Sequence, residues 1–184
     1  MLSNNLLSLA IWVPIAAGVL VLATGSDSRA GIARILAFIG SLAGFLVTLP
    51  LFTQFNPTYA LYQFAEHKPW IESLNVNYTL GVDGISLLLV MMTTFIMPLC
   101  VLGSWKYIQT RVKEFMICLL VMETSMLGVF MALDLVLFYV LWEAMLIPMY
   151  LLIAVWGGPR KSYASIKFFL YTLAGSVFLL VAIV

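Results

Sequence analysis

Residues 138–150 read FYVLWEAMLIPMY, and every side chain but one would be at home in a hydrocarbon phase. The exception is Glu143. Followed outward, the apolar run extends from Leu135 to Trp156, and about 20 helical residues suffice to cross a bilayer. A carboxyl group inside such a run is expensive, and its default reading is an ion-binding or proton-carrying role. The stretch therefore poses two questions: what fold contains it, and what the carboxyl group does there.

Composition answers the first in outline. Of 184 residues, 64% are hydrophobic and 9% charged, whereas a soluble domain carries roughly 25% charged residues. So apolar a chain cannot cover itself with a water-facing surface, and an integral membrane protein is expected. The net charge of +1 gives no reason to expect nucleic acid. The two cysteines, Cys100 and Cys118, lie inside apolar runs without metal-ligand spacing and read as small hydrophobes. His67 is the single histidine and has no ligand partners nearby in sequence, so no metal is expected. There is no Walker loop, dinucleotide fingerprint or nucleophile elbow. No basic residue precedes Leu6, and the first run ends in Thr24-Gly25-Ser26-Asp27, a turn rather than a cleavage site.

Six runs are long enough to span: Leu6–Thr24, Ile32–Phe55, Ile85–Trp105, Phe115–Leu133, Leu135–Trp156 and Ser162–Val184. The expected fold class is all-α, a polytopic transmembrane helix bundle. One connection is long, Asn56 to Asp83, and contains Pro57, Pro69 and Trp70; Asp83 is placed to cap the third helix. Lys and Arg number nine, and all but Lys68 flank the odd-numbered connections: Arg29, Arg34, Lys106, Arg111, Lys113, Arg160, Lys161 and Lys167. The positive-inside rule puts those connections in the cytoplasm and the N-terminus outside. Gly40-Ser-Leu-Ala-Gly44 is a small-xxx-small pattern that permits close helix packing. The methionines from Met91 to Met149 read as packing or lipid-facing residues. The last run ends at Val184 without a polar tail, so the front portion of a longer protein is expected.

Two acids lie deep. Glu143 is nine residues past Asp134 and thirteen before Trp156, about 14 Å and 20 Å from the two helix ends. Glu123 lies well inside the fourth run. The turn joining the two helices is very short, so they run antiparallel, and the two carboxyl groups could lie within ~6 Å of each other in depth. Low dielectric disfavours the charged form unless a cation stands at the same depth. Lys167 is near a helix end and can snorkel to the surface. Glu143 is therefore either neutral at rest or paired with a cation from a helix beyond this chain, and a group poised between those states can bind and release a proton. The structural alternative is a neutral acid that joins helices by hydrogen bonds. Asp134, at a junction near the surface, reads as a cap or turn residue. Pro148 removes the amide that would bond the Ala144 carbonyl, so a kink is expected near Glu143.

The same residues carry a resemblance. Residues 131–159, MALDLVLFYVLWEAMLIPMYLLIAVWGGP, resemble chain M of the proton-translocating NADH:quinone oxidoreductases, the family numbered chain 4 in mitochondria. LGVDGIS at 80–86, RVKEFM at 111–116 and YASIKFFLYTLAGS at 163–176 are similar to the same family, in the same order. The close resemblance covers 80–184; residues 1–79, taken as the N-terminal helices and an extracytoplasmic loop, are similar in hydropathy and topology. The resemblance implies an antiporter-like membrane subunit of about fourteen helices built on inverted repeats, with sites near the midplane. It places the family's fifth-helix glutamate, which pairs with a lysine on the seventh helix, at Glu143, and an acid that many members carry on the fourth helix at Glu123. It implies proton translocation in a bacterial inner membrane beside other membrane-arm and hydrophilic-arm subunits. NAD, flavin, iron–sulfur clusters and quinone belong to those partners and none to this chain. The rival readings are a subunit of a multisubunit cation/proton antiporter or membrane-bound hydrogenase, and a non-conducting structural membrane fragment.

Overall fold

A computed structural model describes residues 5–25, 30–59, 61–74 and 76–183. Among the described residues, six membrane-length helices make up the bundle: α1 (Leu6–Ala23), α2 (Ala30–Gln54), α3 (Gly84–Ser104), α4 (Val112–Met131), α5 (Leu135–Trp156) and α6 (Lys161–Ile183). Their bounds fall within three residues of those read from hydropathy. Ser26, Asp27, Arg29 and Asn75 lie outside the described residues.

The long connection departs from an all-helical description. It folds into an antiparallel hairpin, β1 (Gln63–Ile71) and β2 (Val76–Val82), around a 3-10 turn at Glu72–Leu74. β2 reads VNYTLGV, rich in β-branched and aromatic residues. The hairpin is minor beside the helices and sits over one end of the bundle. Leu133 N–H donates to the Thr79 carbonyl (2.9 Å), and Leu80 bridges Ala132. Asp134 ties the hairpin to α5: its Oδ2 accepts from Asn77 N–H (3.0 Å), while Oδ1 accepts from Val136 and Leu137 N–H. Burial alone would raise the Asp134 pKa, but these amides outweigh it and hold the carboxyl below its usual range. Asp83 caps α3 as expected, accepting from Ser86 N–H (2.7 Å) while the Ser86 hydroxyl accepts from Asp83 N–H.

The other end gathers the basic connections. Arg34 Nη2 donates to the Ile108 carbonyl (2.7 Å), Lys113 Nζ to Gly25 (2.7 Å), and Lys161 Nζ to Val155 (2.7 Å). Trp156 Nε1 donates to Thr110 (2.8 Å) and its ring meets Phe115 edge-on. Lys161 thus serves a carbonyl in the last turn of α5, where orphan acceptors and the helix dipole favour a cation, while Arg34 and Lys113 tie down the neighbouring connections.

α4 is the hub, packed against α1, α2, α3 and α5. In lipid, helix association comes from close packing rather than from the hydrophobic effect, and glycine sets the closest contacts. A Cβ on Gly40 would lie 2.2 Å from the Ala17 Cβ, so the glycine pattern of α2 works by letting α1 touch its backbone. Two clusters fill the interior: Leu7, Leu51, Leu80, Val82 and Met131 beneath the hairpin, and Val21, Ala37, Val101, Met116 and Leu120 toward the basic end. α5 and α6 are the open flank. Among the described residues α6 buries only Ser165 and Ser176.

Candidate functional site

Glu123 is completely buried, and neither carboxyl oxygen has a hydrogen-bonding partner among the described residues. It faces α1 and α2: a Cβ added to Gly44 would stand 3.3 Å from its Oε1 and 3.6 Å from the Pro14 ring. Pro14 lies inside α1 and contributes no N–H to that space. Glu143 is half-buried on α5, and its Oε1 is likewise buried without a partner among the described residues. A buried polar atom left unpaired calls for a reason. Two such carboxyl groups inside one bundle are the chemical content of this structure.

The geometry corrects one simple picture of the pair. α4 and α5 do run side by side, with Gly128 of α4 receiving Leu141 of α5. At 100° per residue, Glu123 points about 140° away from Gly128, and Glu143 about 160° away from Leu141. The two acids therefore face opposite sides of the helix pair: Glu123 toward α1 and α2, Glu143 toward the open flank. There Tyr150 of α5 meets Phe169 of α6. Lys167 does not approach Glu143 as an ion pair; its Nζ lies over the rings of Tyr163 and Tyr171, at 5.7 and 5.8 Å. α5 runs through Pro148 as one continuous helix, with the proline buried.

Sequence reading passed over Glu66. It is a buried acid on β1 that accepts from Leu7 N–H (2.8 Å), Ser8 N–H and the Ser8 hydroxyl, so it caps α1 from the hairpin, about sixty residues away in the chain. The residue preceding α1, Asn5, supplies no side-chain cap. The Ser8 hydroxyl also meets the Tyr78 hydroxyl (3.1 Å). No local signal marks Glu66, because the groups it serves are distant in sequence. The cysteines are free, with Cys118 buried, and His67 Nδ1 pairs with the Thr79 hydroxyl (2.9 Å).

Six spanning helices with unpaired carboxyl groups at mid-depth define a polytopic integral membrane protein of the kind that holds ionisable groups inside the bilayer. Residues 35–132 match the family model described as NADH-ubiquinone oxidoreductase chain 4, amino terminus, and residues 132–184 match that of the NADH:quinone oxidoreductase/Mrp antiporter transmembrane region. The chain belongs to the NADH-ubiquinone oxidoreductase chain 4 family. It is 50% identical to NADH-quinone oxidoreductase subunit M of Rhodobacter capsulatus, over 98% of this chain and 35% of that protein. With NADH-ubiquinone oxidoreductase chain 4 of Arabidopsis thaliana it shares 44% identity, over 90% of this chain and 34% of the relative. The chain thus spans about a third of the length of these relatives. A chain of the archaeal membrane-bound sulfane sulfur reductase, a respiratory membrane complex, superposes with a TM-score of 0.73 at 23% identity, covering 97% of this chain and 27% of that one; the likeness is one of fold.

Proposed function

We propose that this chain works in the membrane arm of a proton-translocating NADH:quinone oxidoreductase, with Glu143 carrying the proton. The supporting observation is a carboxyl group at mid-depth on α5 whose buried oxygen has no partner among the described residues. Such a group gains from a proton, a water or a cation, and each lets it take part in charge movement. Glu123 is a second proton-binding group. Because it faces away from Glu143, exchange between the two runs through water rather than by direct contact. NADH, flavin, iron–sulfur and quinone chemistry falls to partner subunits of both arms. The basic end faces the cytoplasm of a bacterial cell and the hairpin end faces outward, as the distribution of Lys and Arg requires. A cation/proton antiporter or a hydrogenase subunit is less favoured. The family model matched over 35–132 is that of chain 4, and the relatives named above carry oxidoreductase names.

The test is made in the full-length subunit within its assembled complex. Glu143→Gln keeps shape and hydrogen bonding but cannot ionise, so it abolishes most proton pumping while assembly persists. Glu143→Asp retains part of the activity, and Glu123→Gln costs less than Glu143→Gln. NADH oxidation by the hydrophilic arm with an artificial acceptor stays unchanged. Pumping at the wild-type ratio in a stable Glu143→Gln complex would leave only the structural role for that carboxyl group.

A further inference from the structure

The register of β1 puts Glu66 and Lys68 on one face of the hairpin together with Tyr78 of β2, which pairs with Lys68; Trp70 follows at an irregularity of the ladder between Pro69 and Ile71. That face overhangs the start of α1. The charge of Glu66 is taken up by the Leu7 and Ser8 amides. Lys68 makes no ion pair among the described residues, and it is the only described Lys or Arg on the hairpin side of the bundle. Beneath it lies a cavity of about 730 Å³, walled by Leu9, Trp12 and Ile15 of α1 and by Leu137 and Val140 of α5, with Thr124 of α4 as its floor. Trp12 and Val140 are exposed, so the cavity opens sideways on the outer surface of the bundle.

Depth decides what fits. The lining on α1 runs from Asn5 to Ile15, about 15 Å of helix, or half of a hydrocarbon core of about 30 Å. The lining on α1 reaches no deeper than Ile15. A spanning helix from another segment or subunit would need a groove crossing both leaflets. An acyl chain needs one leaflet only, and the groove supplies that much, with Lys68 and Trp70 of the hairpin above it at the level where headgroups lie and Trp12 along its apolar wall. We propose that the groove between α1 and α5 is a binding site for one anionic phospholipid of the hairpin-side leaflet, its phosphate at Lys68 and one acyl chain against the two helices. The proposal does not depend on whether Glu143 carries protons.

The test uses the full-length subunit in its assembled complex, reconstituted in nanodiscs with phosphatidylglycerol bearing a photoreactive group in its acyl chain. Labelled residues are mapped by mass spectrometry. Labels are expected in the α1 segment 9–15 and the α5 segment 137–141. Unlabelled phosphatidylglycerol should compete about fivefold better than phosphatidylcholine, the effect of one basic residue at a membrane surface. Lys68→Gln, an exposed substitution that leaves the bundle intact, should make the two lipids compete equally. Val140→Trp, which fills the groove, should remove the labels from both segments. Absence of label from both segments in the unmodified complex would overturn the site. Equal competition by the two lipids in that complex, or a preference that survives Lys68→Gln, would overturn the assignment of an anionic headgroup.

Discussion

At the scale of single residues, Glu66, Asp134 and Gly44 have separable tasks. Glu66 caps α1 from a distance, so Glu66→Ala leaves the Leu7 and Ser8 amides unpaired. It should cost about 1–2 kcal/mol, read as lower thermal stability of the purified protein and faster proteolysis of the hairpin, with Glu66→Gln falling between. Asp134 joins α5 to the hairpin, and its folded-state pKa is depressed. Its contribution is therefore present above the unfolded carboxyl value of about 3.9 and is lost as the pH falls through the folded value. Thermal unfolding followed from pH 7 downward should show this loss in the wild type, and a weaker pH dependence in Asp134→Asn. Gly44 leaves room beside Glu123. Gly44→Ala would put a methyl group 3.3 Å from its Oε1. If water serves Glu123 there, Gly44→Ala should lower pumping in the full complex, and should add nothing to the effect of Glu123→Gln.

At the scale of elements, helix contacts rank by what can yield. A Cβ on Gly40 would meet the Ala17 Cβ at 2.2 Å, and Ala17 can give way only if α1 moves as a body. A Cβ on Gly128 would meet Leu141 Cδ1 at 2.6 Å, the far end of a side chain that can rotate. Gly40→Ala should therefore destabilise by about 1–3 kcal/mol and Gly128→Ala by clearly less, compared by thermal unfolding in one detergent. Equal losses would mean that α1 and α2 separate more easily than their packing shows. The hairpin belongs to this scale too. Two strands alone are marginal in water, and this pair is held because Leu133, Ala132 and Asp134 of the α4–α5 turn bond its edge.

At the scale of the molecule, sidedness and openness matter. The ends of the bundle differ chemically: one carries the hairpin and a single described cation, the other the basic connections. Cysteines at Lys106 and Arg160 should react only with reagents admitted to the cytoplasm, and one at Glu72 only with reagents outside; labelling in the reverse sense would invert the topology. Glu143 is half-buried beside the open flank of α5 and α6, and Lys167 of α6 lies instead over the rings of Tyr163 and Tyr171. Reconstituted alone in liposomes, the 184-residue chain should dissipate a pH gradient no faster than empty vesicles. A fast leak abolished by Glu143→Gln would show that these six helices suffice.

The sequence by itself determined the class of fold, the number and ends of the helices, the caps at Asp83 and Asp134, and the depth of both acids. Each follows from local chemistry: hydropathy over a bilayer's thickness, an acid one residue before a helix, and 1.5 Å of rise per residue. The glycine pattern at 40–44 announced a close contact but not its partner, Ala17. Tertiary structure decided the rest. Depth along an axis says nothing about azimuth, so that Glu123 and Glu143 point away from each other became visible only once α4 and α5 were packed. β2 carried a strand signal in its β-branched and aromatic residues, but β1, with its charges and Pro69, becomes a strand only by pairing with it. The role of Glu66 was hidden because the amides it caps lie some sixty residues earlier, and only the folding of the hairpin back over the start of α1 brings a carboxyl group to them.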